Sequence, residues 1–130
     1  MKFLLLSFVF AQTGHSQDLS FSGSREGAKD VEIRLCRKEP GKDWTAPASI
    51  AVGIHDGKRG PTRNPVVFET FEGKVLLFYR IFGITKGFYL FGYMKTSTDG
   101  GKNWSEPRRI AEDCIGPEKN KPIQLEDGTI

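Results

Sequence analysis

Apolar and polar positions alternate with period two over Val31-Glu32-Ile33-Arg34-Leu35-Cys36-Arg37, the pattern of a strand with one face buried and the other wet. Ala48 to Val52 reads as a short return strand. Further on, Pro65-Val66-Val67-Phe68 begins another strand, Glu72-Gly73 turns it, and Lys74 to Arg80 comes back as a hairpin arm. The apolar run inside that arm predicts burial on both faces. Phe88 to Thr96 and Arg108 to Ala111 complete a set of four. Pro122 to Leu125, followed by Glu126-Asp127-Gly128-Thr129-Ile130, repeats the pattern of Pro65 to Val75 and predicts the opening of one more hairpin. Between these runs, Gln12 to Ser20 reads as a polar stretch, and Phe21 to Asp30, His55 to Pro61, Gly83 to Gly87 and Glu112 to Lys121 read as loops and connections. No helix is predicted, unless the apolar run near the N-terminus forms one.

Two of the predicted turns share a pattern. Gly41, Lys42, Trp44, Pro47, Ile50 and Ala51 recur at a constant offset of 60 residues as Gly101, Lys102, Trp104, Pro107, Ile110 and Ala111. The later turn is the fuller one, Ser97-Thr98-Asp99-Gly100-Gly101-Lys102-Asn103-Trp104. There Asp99 can accept amide hydrogen bonds from its own loop, the two glycines can take positive φ, and Trp104 can close the turn onto the sheet. In the earlier turn Arg37 falls at the serine position and Glu39 at the aspartate position. A chain with such a repeat is built from successive supersecondary units.

Composition agrees with an all-β chain. Of 130 residues, 38% are hydrophobic, and fifteen glycines and seven prolines punctuate β-branched and aromatic stretches. A net charge of +3, spread without a basic run, gives no footprint for nucleic acid or for a charged membrane surface. Met1-Lys2 followed by Phe3 to Ala11 reads as a secretory leader, which places the protein outside the cytoplasm, secreted or periplasmic; the other reading is a buried strand. The run is too short to span a bilayer. Cys36 and Cys114 either pair in an oxidising compartment or remain thiols, and no metal-ligand spacing is present.

Ser-x-Asp-x-Gly-x-x-Trp at Ser97 to Trp104 resembles the Asp box, or BNR repeat, of the sialidase (neuraminidase) superfamily. Phe21 to Arg37, Asn64 to Arg80 and Gly116 to Pro122 also look like segments of bacterial-type predicted sialidases with BNR-like repeats, so the similarity runs from Phe21 to Ile130. It implies an all-β fold, part of a six-bladed β-propeller: about two four-stranded antiparallel blades plus the start of a third. Residues 1–20 are then a leader-like segment and residues 21–130 a truncated propeller. The innermost strand that such proteins carry before Phe21 is not read here, its place being taken by the leader-like segment. The arginine-isoleucine-proline motif of well-studied sialidases is also absent.

The resemblance implies an exo-glycosidase that releases a terminal, acidic sugar from a glycan or sialoglycoconjugate and needs no cofactor. The alternative is a non-catalytic propeller that binds glycan or protein. In a blade of alternating strands the Asp-box turns lie on one face and the loops Ser22–Asp30, His55–Asn64, Arg80–Gly87 and Glu112–Lys121 on the other, where pockets form. Such a hydrolase needs cations to hold a carboxylate and an acid to protonate the leaving oxygen. Arg25, Arg63, Arg80, Lys119 and Lys121 are the candidate anion contacts, Glu26 and Asp30 the candidate acids, and Asn64 and Asn120 the candidate partners of sugar hydroxyls. The nucleophile is expected beyond residue 130, so the chain by itself is expected to be inactive and, with an open sheet edge, poorly stable.

Overall fold

The computed structural model describes residues 5–10, 16–25, 27–84 and 90–130. Ten strands follow one another, and no helix occurs among the described residues. β1 (Leu5–Phe10), β2 (Ser16–Ser22), β3 (Glu32–Lys38) and β4 (Ala48–Val52) form an antiparallel sheet in that order. β5 (Ile54–His55) and β6 (Lys58–Arg59) make a small hairpin of their own. β7 (Thr62–Glu69), β8 (Val75–Phe82), β9 (Leu90–Ser97) and β10 (Arg108–Arg109) form a second four-stranded sheet in the order β10-β9-β8-β7. The chain is thus an all-β fold of several antiparallel sheets, consistent with BNR-type repeats.

Several expectations change: no strand forms over 122–125, where a further hairpin arm was expected, residues 54–59 form a hairpin and not a plain connection, and the N-terminal part differs as well. Leu5–Phe10 is a strand, paired with β2 from Leu5↔Phe21 to Phe10↔Ser16, so the strand read as missing before Phe21 is present. Ser16–Ser22, read as polar stretch and loop, is the strand that links it to β3, with Leu19 opposite Leu35 and Phe21 opposite Ile33. Residues 1–4, 11–15, 26 and 85–89, on which parts of the expected leader, polar stretch, loops and third strand fall, lie outside the described residues.

By contact the chain divides into two compact units, Met1–Arg63 with Ile81–Leu90 and Asn64–Arg80 with Phe91–Ile130. In the first, Val31, Ile33, Leu35, Ala51 and Ile81 are buried, the inward-facing set that the period-two pattern of β3 requires. Each of the valine, isoleucine and leucine side chains among them contributes roughly 1.5–3 kcal/mol by leaving water. Backbones approach closely here. A side chain on Gly60 would meet the Phe82 carbonyl at 2.5 Å, and one on Gly53 would meet the Gly60 carbonyl at 2.1 Å. The second unit is centred on β8, whose Val75, Leu76, Leu77 and Tyr79 are buried along both faces, as its continuous apolar run predicts. Tyr79 stacks on Tyr93 with ring centroids 5.8 Å apart, and burial raises its hydroxyl pKa, which fits a core residue.

Both box turns are closed by the same device. The Ser105 amide donates to the Thr96 carbonyl at 2.8 Å and the Thr96 amide to Ser105 Oγ at 3.0 Å. Upstream, the Thr45 amide donates to the Arg37 carbonyl at 2.8 Å and the Arg37 amide to Thr45 Oγ1 at 2.9 Å. Thr45 and Ser105 are 60 positions apart, but Arg37 and Thr96 are 59, so the first turn is one residue shorter. The serine position of the box therefore falls on Lys38 and not on Arg37.

Candidate functional site

The Asp-box turn comes first, because it fixes the end of β9. Ser97, 2% exposed, accepts the Gly101 amide at 2.8 Å on its hydroxyl and donates to Asp99 Oδ1 at 2.7 Å. Asp99 also accepts the amides of Lys102 and Asn103 and the Asn103 side chain, and Trp104 Nε1 donates to the Gly101 carbonyl at 3.1 Å. Gly100 and Gly101 supply φ values of 69° and 82°. The amide and side chain of Asn103, then the Ser97 hydroxyl, push the Asp99 carboxyl well below the usual carboxylate range. An acid held this firmly in its ionised form is built for shape. It is no proton donor.

In the first unit, the loop before β3 carries Arg25 and Asp30, and Glu26 lies outside the described residues. Arg25 is exposed, and its carbonyl accepts the Ala28 amide at 3.1 Å. Asp30 takes the Ser24 amide at 2.8 Å and the Ser24 hydroxyl at 3.0 Å, one on each oxygen. The Ser24 amide is the main cause of a carboxyl pKa below its ordinary value, with the Arg59 charge adding to it. This geometry makes Asp30 the cap of its loop, and its shift runs opposite to what a proton donor near neutral pH requires. Arg63, half-buried, lays its guanidinium over the Phe82 ring at 4.2 Å from the centroid. A side chain on Gly27 would come within 3.9 Å of that guanidinium, so the loop and the stacked pair are neighbours. Phe82 and Gly27 were not singled out from sequence, since neither carries a charge or a motif.

In the second unit, Asn64 opens the chain segment with φ 51°, a left-handed conformation directly before Pro65. Such a residue stores about 1–3 kcal/mol of strain, and asparagine tolerates it better than most. Arg80 is 2% exposed, and all three of its nitrogens are engaged. Nε donates to the Ile115 carbonyl at 3.3 Å, Nη2 to the Gly116 carbonyl at 3.0 Å, and Nη1 meets Glu118 Oε1 at 3.1 Å. Arg80 thus fastens the segment that leads into Lys119, Asn120 and Lys121. Those three exposed residues line an open cleft of ≈ 720 Å³ together with Phe78, Ile110 and Pro122. Gly116 sits against its apolar side: a side chain there would meet Ile110 Cδ1 at 2.8 Å and Phe78 Cδ1 at 3.8 Å. Of the residues proposed from sequence, the structure brings Lys119, Asn120 and Lys121 together at one cleft and sets Arg80 behind them. Glu118, the partner of Arg80, was not foreseen. Its signal was available only as a carboxylate next to Lys119 and Lys121.

The turn that recurs inside each of the two four-stranded antiparallel sheets, with the full box chemistry in the later copy, has its counterpart among known families: residues 19–130 match the BNR repeat-like domain. The chain belongs to that family. The link is to the BNR, sialidase-like fold. No curated protein matches the chain. Among solved structures, a protein of unknown function from Dyadobacter fermentans DSM 18053 is similar with a TM-score of 0.66 at 16% identity, over 96% of this chain and 44% of that one. At that identity the likeness speaks for the fold alone. The BNR-family chain described here therefore spans less than half the length of that structure. Among its described residues no helix is long and apolar enough to cross a membrane.

Proposed function

We propose that this BNR-family chain is part of a sialidase-like exo-glycosidase that acts on a terminal acidic sugar of a glycan, outside the cytoplasm. The observation that carries the reading is the cleft of the second unit, lined by Lys119, Asn120 and Lys121 beside apolar Phe78 and Ile110, with the Glu118 carboxylate on the same lining but paired to Arg80. A sugar presents C–H faces that suit such apolar side chains and hydroxyls that suit an amide, and a carboxylated sugar adds a charge that suits lysine. Arg80 contributes by holding the wall of the cleft through the Ile115 and Gly116 carbonyls. Arg63 and Arg25 remain candidate anion contacts, Asn64 a candidate partner of sugar hydroxyls, and Glu26 the candidate acid.

A second reading, a non-catalytic propeller that binds an acidic glycan, is favoured by Asp30: its carboxylate is spent on Ser24 and its pKa moves down. One experiment separates the two. The full-length protein is presented with neutral and carboxylated monosaccharides and with glycans ending in each, and both binding and sugar release are followed. Release of the acidic sugar, lost in Glu26→Gln, supports the hydrolase. Binding without release, weakened by Lys119→Gln with Lys121→Gln, supports the binder. Indifference to acidic sugars in both assays overturns both.

A further inference from the structure

A further concavity lies in the first unit and is built from none of the residues assigned above. It measures ≈ 250 Å³ and is lined by Lys29, Lys58, Arg59, Gly83 and Ile84. Three stretches of chain converge to make it. The loop before β3, closed by the Ser24–Asp30 hydrogen bonds, carries Lys29. The β5-β6 hairpin turns through Asp56 (φ 47°) and Gly57 (φ 72°), the left-handed pair of a two-residue hairpin, and so delivers Lys58 and Arg59. The bend that follows β8 supplies Gly83 and Ile84. The loop and the hairpin are tied together where Arg59 Nε donates to the Lys29 carbonyl at 3.0 Å.

Charge is what makes this place unusual. Three carboxylates lie nearby: Asp30, held by Ser24, also feels the Arg59 charge; Asp56, on the hairpin turn, faces His55 Nε2 at 3.4 Å; and Glu32 pairs mainly with Arg34, whose Nε and Nη2 approach Oε1 at 2.8 and 2.7 Å. Glu32 Oε2 reaches Arg59 only at 3.9 Å. The Lys29 and Lys58 ammonium groups have no carboxylate partner among the described residues. Two lysines and an arginine line one concavity, so their like charges disfavour one another there, and an anion bound among them offsets that cost. The volume falls below the roughly 300–1,000 Å³ of pockets that enclose a whole small molecule, so the space suits a charged substituent rather than an entire ligand.

We propose that Lys29, Lys58 and Arg59 form a binding site for a single tetrahedral oxyanion, a sulfate or phosphate group. That group is carried on a sugar or presented as the free ion. The test uses the full chain with four probes: inorganic sulfate, inorganic phosphate, an O-sulfated monosaccharide and its unmodified parent. Binding is followed by titration calorimetry and by amide chemical shifts. The expected result is that at least one oxyanion probe binds, the parent sugar does not, and the shifts centre on Lys29, Lys58 and Arg59. Lys29→Gln with Lys58→Gln then weakens that binding about tenfold or more, the loss expected for charge-assisted contacts. Tighter binding of the sulfated sugar than of inorganic sulfate identifies a sugar substituent as the source, and equal binding identifies the free ion. No binding by any oxyanion probe overturns the proposal. So do shifts centred on Lys119–Lys121, or affinity unchanged in the double variant. Because the shifts are read in the unaltered protein, the outcome stands even if the variant folds poorly.

Discussion

Ser97 Oγ donates to Asp99 Oδ1 at 2.7 Å and accepts the Gly101 amide at 2.8 Å, so one buried hydroxyl joins the end of β9 to both halves of the turn that follows. Ser97→Ala removes both bonds and leaves the Gly101 amide buried without its partner. A loss of about 1–3 kcal/mol is expected. Urea unfolding checks this as a lower midpoint at unchanged slope.

The acid side of the stability profile follows from Asp99. Its folded pKa lies below the unfolded value, near 3.9 for an ordinary aspartate. Stability from this group is therefore fully present above that value and is lost as pH falls towards the folded pKa. Asp30, Asp127 and Glu72 are shifted in the same direction and add to the decline. The gap in unfolding midpoint between the wild type and Asp99→Asn is expected to be constant from about pH 8 to 5 and to narrow below about pH 4. A gap that widens on acidification would contradict this assignment.

Arg80 and Glu118 should not weigh equally. The guanidinium is buried and serves two carbonyls as well as the carboxylate, whereas the Glu118 side chain is 65% exposed. Arg80→Met is expected to cost about 1–3 kcal/mol, and Glu118→Gln less than about 1 kcal/mol. Thermal unfolding of the two variants side by side gives the order, and a reversed order would refute the latch.

Phe82 is the platform for Arg63, at 4.2 Å. Phe82→Leu keeps the volume apolar but removes the ring face, and a loss of about 0.5–2 kcal/mol is expected from the cation–π contact. Phe82→Tyr, which keeps the ring, should lose less. Equal losses would show that packing and not ring charge holds the guanidinium.

Much of this was legible along the chain. β3, β4, β7, β8 and β9 announce themselves through alternation or through an apolar run of strand length, and the structure puts them within a few residues of where the pattern does. β1 was ambiguous for a physical reason: an apolar run after Met1-Lys2 satisfies a leader and a buried strand equally. β2 was hidden because Ser16–Ser22 carries only two apolar side chains among serine, glutamine and aspartate. β5 and β6, at two residues each, are shorter than any periodicity, although Asp56-Gly57 was the turn signal that marked them. The one-residue contraction of the first turn leaves no trace in the sequence pattern, since every match from Gly41 onward keeps its offset. Lysines and asparagine at the cleft could be nominated from charge and loop position. The capping of Asp30 and the latching of Arg80 could not, because each depends on a partner chosen by the folded backbone.

The unequal box turns also give the chain an optical contrast. It holds two tryptophans: Trp44 on the shortened turn is 44% exposed, and Trp104 is half-buried with its indole N–H tied to Gly101. Aqueous iodide should quench the fluorescence of Trp44 first. The emission that survives comes from Trp104, and its red shift during denaturation would time the opening of the second turn separately from the first.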